Sequence, residues 1–540
     1  MPIELDSTAV LARLAKAQMP IALALCYLGI FVLHRAMNPE MLRSEAGYYQ
    51  TVAHASAAEQ QSLLRSFWKT SSHGHYTPAA FTAEFYFTKY AGLRPDIWRA
   101  RQLLLGGLLA FFVFGFVRAA ASQTQVPRTV SNIFAAGVTL LFIAQPEARD
   151  ILDVLFHGIQ LVWMTMTMAV AWSFVRLPAS AAKERMIWII ALLAYASIHV
   201  LGLGLAVVAG TLSVFGLLLA GIALGSFPEW RQHVRTIGAA SIILLLLAGL
   251  HTVAMIALNN AAVPAGPQRV IDWRGLVGLI ALSPVGISAG MLGLLSPTLS
   301  DDAVSAAWPF GVAAVLAIIL FIGALFWRNQ RRPSSRFTSA LFVAVFSAVL
   351  LVTLVAMIAM RLIQEPSSFS RLYGIITGAR YVLPITMGWL GLAASVVILL
   401  RRRVLAFAAL LSLIFGLGAV VAHFSYEAQV RAKTARLHGA SHLQVWRDVV
   451  QVAREARLAH LPVPNIPLQR LSLFGFVDVK FFEPILRQDL RLPENEHCDF
   501  IDWAECRNRR LDEYLANCPS LPKTAHLLDL PLTASPAGKP

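Results

Sequence analysis

Repeated apolar runs of about 18 or more residues constrain this chain more than any other feature. They recur from near the N-terminus to residue 424, for example IGAASIILLLLAGLHTVAMIAL (237–258) and AWPFGVAAVLAIILFIGALFW (307–327). A bilayer core offers no water to unpaired backbone groups, so such runs cross it as helices. One large soluble core is excluded. Only 14% of residues are charged and 57% are hydrophobic, where soluble domains carry about a quarter charged residues.

The first apolar segment, about 18–35, has no small-residue cleavage site and reads as a signal anchor. Arg13 and Lys16 place its start inside, so the loop 36–100 falls outside. Further spans are expected at about 102–120, 129–145, 154–175, 186–199, 201–226, 237–258, 308–327, 337–361, 379–400 and 404–424. Basic residues mark the inside loops: Arg118 and Arg128, Lys183 and Arg185, Arg231 and Arg235, then RNQRRPSSR (328–336) and RRR (401–403). The segment 275–296 is apolar but broken by Pro284, Gly286 and Gly290. Counting it as a crossing would put both arginine runs outside, so it reads as re-entrant or interfacial on the outer side. The expected fold is an all-α polytopic membrane protein with about 11 transmembrane helices, the N-terminus inside and the C-terminus outside.

The net charge of +15 would suggest a nucleic-acid partner in a soluble protein. Here much of the excess sits in short loops that the positive-inside rule assigns to the cytoplasm, so no nucleic acid is expected. After the transmembrane domain 1–424, composition shifts. Residues 425–540 form a small extracytoplasmic α+β domain. Leu443, Trp446, Val450 and Ala453 recur at helical spacing over 440–459, ended by Pro462, Pro464 and Pro467. Residues 470–482 look extended, and Asp512 to Leu515 helical. Cys498, Cys506 and Cys518 cluster there; outside the cytoplasm one disulfide among them is expected, with one thiol left over. Their spacing fits no zinc pattern, and no metal site is assigned.

Residues 42–104 are the longest polar stretch before residue 425. Glu45, in LRSEAGYYQ, could serve as a general base or as one oxygen ligand of a divalent cation; a solvated loop glutamate would look the same. His73 and His75 in HGHYTP could bind a phosphate or hydroxyl, or hydrogen-bond their own turn. Asp150 and Asp153 stand in the second outer loop, where Asp153 also suits the start of a helix. Arg371, Arg380 and Tyr381 lie in and after the loop 362–380. Outer arginines run against the charge trend and suit a lipid phosphate, or snorkel to headgroups.

The order of these features resembles the GT-C class of membrane glycosyltransferases, which use polyprenyl-phosphate-linked sugars. An acidic residue follows the first span (Glu45). A His-Tyr-x-Pro element follows it (His75, Tyr76, Pro78), then a Gly-Leu-x-Pro turn (Gly92 to Pro95). An aromatic-Arg-x-x-Gln entry opens the second span (Trp98, Arg99, Gln102), and an Arg-Tyr pair (Arg380, Tyr381) opens a late one. The first 180 residues carry most of the match. The resemblance implies an outward-facing site in the bacterial inner membrane. In it Glu45 is the base, with Asp150 or Asp153 as second acid. His73, His75 and Tyr76 line the site, while Arg371, Arg380 and Tyr381 bind donor phosphate. The acceptor would be a glycan, lipid or protein. Many relatives carry paired aspartates where this chain has SEAG, which leaves the cofactor unknown and a divalent cation open.

Other classes remain to be weighed. A surface-polysaccharide polymerase or ligase has a similar number of spans, but its large outer loop falls late in the chain. A non-catalytic glycan-assembly protein would depend on the tail and not on Glu45. A transporter would place ionisable residues at mid-span, and the apolar segments hold almost none.

Overall fold

The computed structural model describes residues 52, 55–69, 76–91, 95–145, 158–262, 301–363, 379–438, 442–465, 483–493, 495, 496, 498–502 and 511–524. The first apolar segment, the segment 275–296 and the stretch 470–482 lie outside these residues.

Two helices form among the described residues of the polar stretch, α1 (Ala57–Lys69) and α2 (Pro78–Ala91). A capping box starts α1: the Ser56 backbone N–H donates to Glu59, and the Glu59 N–H donates to the Ser56 hydroxyl. The bond from the Ser56 backbone N–H holds the Glu59 carboxyl below its usual range. The long apolar helices follow as α3 (Pro95–Ser122), α4 (Arg128–Ile143), α5 (Gly158–Arg176), α6 (Lys183–Val200), α7 (Gly204–Ala223) and α8 (Val234–Ala262). Then come α9 (Asp301–Arg331), α10 (Ser335–Ile363), α11 (Ala379–Leu399) and α12 (Arg402–His438).

Seven of these segments are long and apolar enough to cross a membrane: Ala100–Ser122, Gly158–Ala179, Gly204–Ala223, Pro228–Leu258, Pro309–Arg331, Ser335–Met357 and Arg402–Ala422. The chain is a multi-pass membrane protein. Helices α4, α6 and α11 also form where crossings were expected. Their apolar parts are shorter, and α6 opens on Lys183, Glu184 and Arg185.

Burial separates core from rim. The α10 span is 67% buried and the α9 span 11%. The core is an aromatic and aliphatic cluster in which Phe174 of α5 packs edge-on against Phe215 of α7 and Phe342 of α10. Leu320 on α9, Leu250 and Val253 on α8, and Phe407 on α12 point outward. Exposed apolar side chains in rows are what a lipid-facing surface requires. Helices α4 and α12 pack along one another through glycines. A Cβ on Gly416 would stand 2.6 Å from the Gly137 carbonyl oxygen, so only small residues permit this approach.

The basic loops gather at one end. Arg402 donates to Gln125 at 2.8 Å, and Arg336 donates to the carbonyls of Ile398 and Leu400, capping the C-terminus of α11. Ser339 donates to the Val175 carbonyl, Gln330 to Ser226, and His233 meets Glu184. The connections near residues 125, 178, 228, 333 and 400 therefore share one end. These are the loops that the charge pattern grouped together.

The C-terminal region contains α13 (His442–Leu458), β1 (Val463–Asn465), α14 (Glu483–Leu490), β2 (Phe500–Asp502), a helical turn at 511–517 and α16 (Leu521–Thr524), the turn at 511–517 counting as α15. β1 and β2 are parallel, with Val463 opposite Phe500. The buried face of α13 is Val449, Val452, Ala453 and Ala456; Val450, expected to point inward, is only half-buried. Glu455 accepts from the Ser520 backbone and hydroxyl, tying α13 to the last helix. Cys498 carries a free, buried thiol beside Arg457, and burial pushes it above the usual thiol range. The expected disulfide therefore does not involve Cys498. Cys506 lies outside the described residues.

Candidate functional site

The end opposite the basic loops is built around Tyr76, the last residue of the HGHY run. Its ring lies 5.4 Å from the His251 ring of α8. Its hydroxyl reaches the carbonyl of Trp68 in α1 at 3.4 Å. His251 stands 5.0 Å from His199 at the end of α6, edge to face, and Tyr195 packs on His199 at 4.8 Å. One line of rings thus joins the polar stretch to two spans.

The second anchor is an ion pair. Glu84 in the middle of α2 and Arg101 in the second turn of α3 are both nearly buried. Arg101 Nη1 donates to both Glu84 carboxylate oxygens, at 2.7 and 2.6 Å. The guanidinium also stacks on Phe87 at 4.5 Å and Trp98 at 4.9 Å. Gly158 at the start of α5 leaves room for it, since a Cβ there would stand 2.7 Å from the Arg101 side chain. Burial raises the Glu84 carboxyl above its usual range, while the Arg101 charge pulls it the other way. Gln102, next to Arg101 on α3, and Gln160, two residues after Gly158 on α5, are buried.

Of the residues expected to carry chemistry, Tyr76 is brought into this assembly. Arg380 and Tyr381 stand in the first turn of α11, a helix that packs against α3; their side chains are outside the described set. Glu45, His73, His75, Asp150, Asp153 and Arg371 also lie outside the described residues. Among those described, no group of three or more His, Cys, Asp or Glu side chains could hold a metal ion.

Sequence reasoning passed over His199, His251, Glu84 and Arg101. The signal for His251 was present. It is the one ionisable side chain in the run 236–258, and ionisable groups in spans carry a functional expectation. Glu84 and Arg101 had no such signal, because each looks like an ordinary charge in a half-polar helix.

Fold and site together define an α-helical multi-pass membrane protein with a polar helical pair docked at the end of its bundle that lies away from its arginine-rich loops. No known protein family, curated protein or solved structure matches the chain.

Proposed function

We propose that this protein is a membrane glycosyltransferase. It transfers one sugar, with inversion, from a polyprenyl-phosphate donor to a glycan, lipid or protein acceptor at the outer face of the bacterial inner membrane. The observation that carries this reading is the docking of Tyr76 onto His251, which in turn packs on His199. It holds the polar stretch at the bundle end opposite the arginine-rich loops, and the positive-inside rule makes that end extracytoplasmic. A lipid-linked sugar presents its phosphate at such a face. The buried Glu84–Arg101 pair gives the stretch a second fixed point, which suits positional demands on a catalytic group.

In this reading Glu45 takes the proton from the acceptor hydroxyl as the hydroxyl oxygen attacks the anomeric carbon. The bond to the donor phosphate breaks, and the polyprenyl phosphate leaves with its electron pair. Arg371, Arg380 and Tyr381 neutralise that phosphate. Asp150 or Asp153 supplies a second acidic group, and His73, His75 and Tyr76 line the sugar. A divalent cation, if used, would sit on these carboxylates.

The test uses membranes containing the full chain and a panel of radiolabelled polyprenyl-phosphate hexoses and pentoses. Glu45→Gln is expected to abolish label transfer at wild-type expression, a loss of 100-fold or more, on the order expected for a general base. Retained transfer removes Glu45 as the base. No transfer by the wild type from any donor in the panel, with native acceptors present, ends the glycosyltransferase reading.

A further inference from the structure

The arginine-rich end carries more charge than the bundle uses. RNQRRPSSR (328–336) holds four arginines and RRR (401–403) three, and neither run contains an acidic residue. The structure sets the two runs side by side, since the Arg336 guanidinium bonds the carbonyl of Leu400, next to Arg401. Arg328 is close enough to Arg336 for their like charges to interact. Some of the seven are occupied within the protein. Arg336 caps α11, Arg402 binds Gln125, Arg328 stacks on Phe337 at 4.7 Å, and Arg331 stacks on Trp327 at 3.9 Å. Arg332, Arg401 and Arg403 are exposed and have no side-chain partner among the described residues. No carboxylate among the described residues pairs with any of the seven.

Their depth is set by the neighbouring apolar surface. Phe407 and Leu410 of α12 are exposed and apolar, hence lipid-facing. Arg403 precedes Phe407 by four residues, about 6 Å along the helix axis. Trp327, exposed and stacked under Arg331, is the kind of side chain that sits at the headgroup level. The unpaired guanidinium groups therefore stand in the layer where lipid phosphates lie.

We infer that Arg332, Arg401 and Arg403 form a binding site for the phosphate headgroup of an anionic phospholipid, lodged between the α9–α10 and α11–α12 connections. The pairing among the described residues leaves a concentrated positive charge with no carboxylate partner, at the depth of the headgroups. A guanidinium fork matches phosphate oxygens. A bulk zwitterionic lipid offers its phosphate only beside a cationic amine, so the site selects lipids with net negative charge. This site lies at the opposite end from the proposed transfer site and does not depend on it.

The test measures thermal unfolding of the purified full chain in phosphatidylcholine-containing micelles, titrated with phosphatidylglycerol. The wild type is expected to gain stability saturably. The triple variant Arg332→Gln, Arg401→Gln, Arg403→Gln is expected to bind phosphatidylglycerol more weakly by about fivefold per arginine removed. Its unfolding in phosphatidylcholine alone should match wild type, because those exposed side chains have no hydrogen-bond or ion-pair partner among the described residues. The triple Arg→Lys variant, which keeps the charge, is expected to retain most of the affinity. An equal phosphatidylglycerol response in wild type and Gln variant, or no response in the wild type, overturns the inference. So does full reproduction of the shift by pyrophosphate or a single-stranded oligonucleotide, which would make the partner a soluble polyanion.

Discussion

Glu84 and Arg101 show what a single pair of charges does at this bundle end. Removing one partner of a buried pair leaves the other desolvated and unpaired. Arg101→Ala is therefore expected to cost about 3–5 kcal/mol, and the double change Glu84→Leu, Arg101→Met considerably less. Thermal unfolding of the three proteins in detergent checks this, and a double variant as unstable as Arg101→Ala would refute the pairing argument. The pair also sets a pH dependence. Burial raises the Glu84 carboxyl, so the folded state holds that proton more tightly than the unfolded chain. Its contribution is full below the usual carboxylate range and is lost as pH rises through the folded-state pKa. Between pH 4 and 7 the wild type should lose stability relative to Glu84→Gln; parallel curves would contradict the direction of the shift. Neither residue stood out in the sequence. Their meeting depends on how α2 packs against α3, which brings together two charges 17 residues apart in the chain.

At the scale of elements, the contact between α4 and α12 is the most exacting. Gly137 and Gly416 face each other across it, and the Ser412 backbone lies against Gly137. Gly137→Ala must push α12 away or strain it, at a cost of about 1–3 kcal/mol of overpacking. Gly216, which has open space around its Cβ position, is the control: Gly216→Ala should be neutral or mildly stabilising. A shared melting temperature for the two variants would count against the close approach. The apolar runs located α4 and the apolar part of α12 within about two residues, but α12 continues to His438, past the expected end at 424. Which glycine served packing was not legible, because a glycine facing lipid and one facing a neighbour look the same in one chain. The C-terminal strands illustrate the same limit. Short β-strands formed at 463–465 and 500–502, where pairing to a distant segment, rather than local composition, made them extended.

For the whole molecule, the shared end of the arginine loops yields a topological prediction. Glu59 in α1 and Ser334 in the α9–α10 connection stand at opposite ends of the bundle. Single cysteines introduced at those positions in a background lacking the four native ones should react with a membrane-impermeant maleimide from opposite sides. The positive-inside rule assigns the Ser334→Cys site to the cytoplasm. Labelling of both from one side would break the alternation on which the fold and the proposed site both rest.

The sequence by itself determined that this chain lives in a membrane, where its helices run and which loops share a side. Those properties follow from hydrophobic length and charge placement, each read residue by residue against the bilayer. Only the tertiary structure decided that Tyr76 docks on His251, that Glu84 meets Arg101, and that two arginine runs 65 residues apart in the chain crowd together with no carboxylate partner among the described residues. Such meetings are set by how helices pack on one another. Lipid and protein neighbours are equally apolar to a helix face, so hydropathy carries no record of which face meets which.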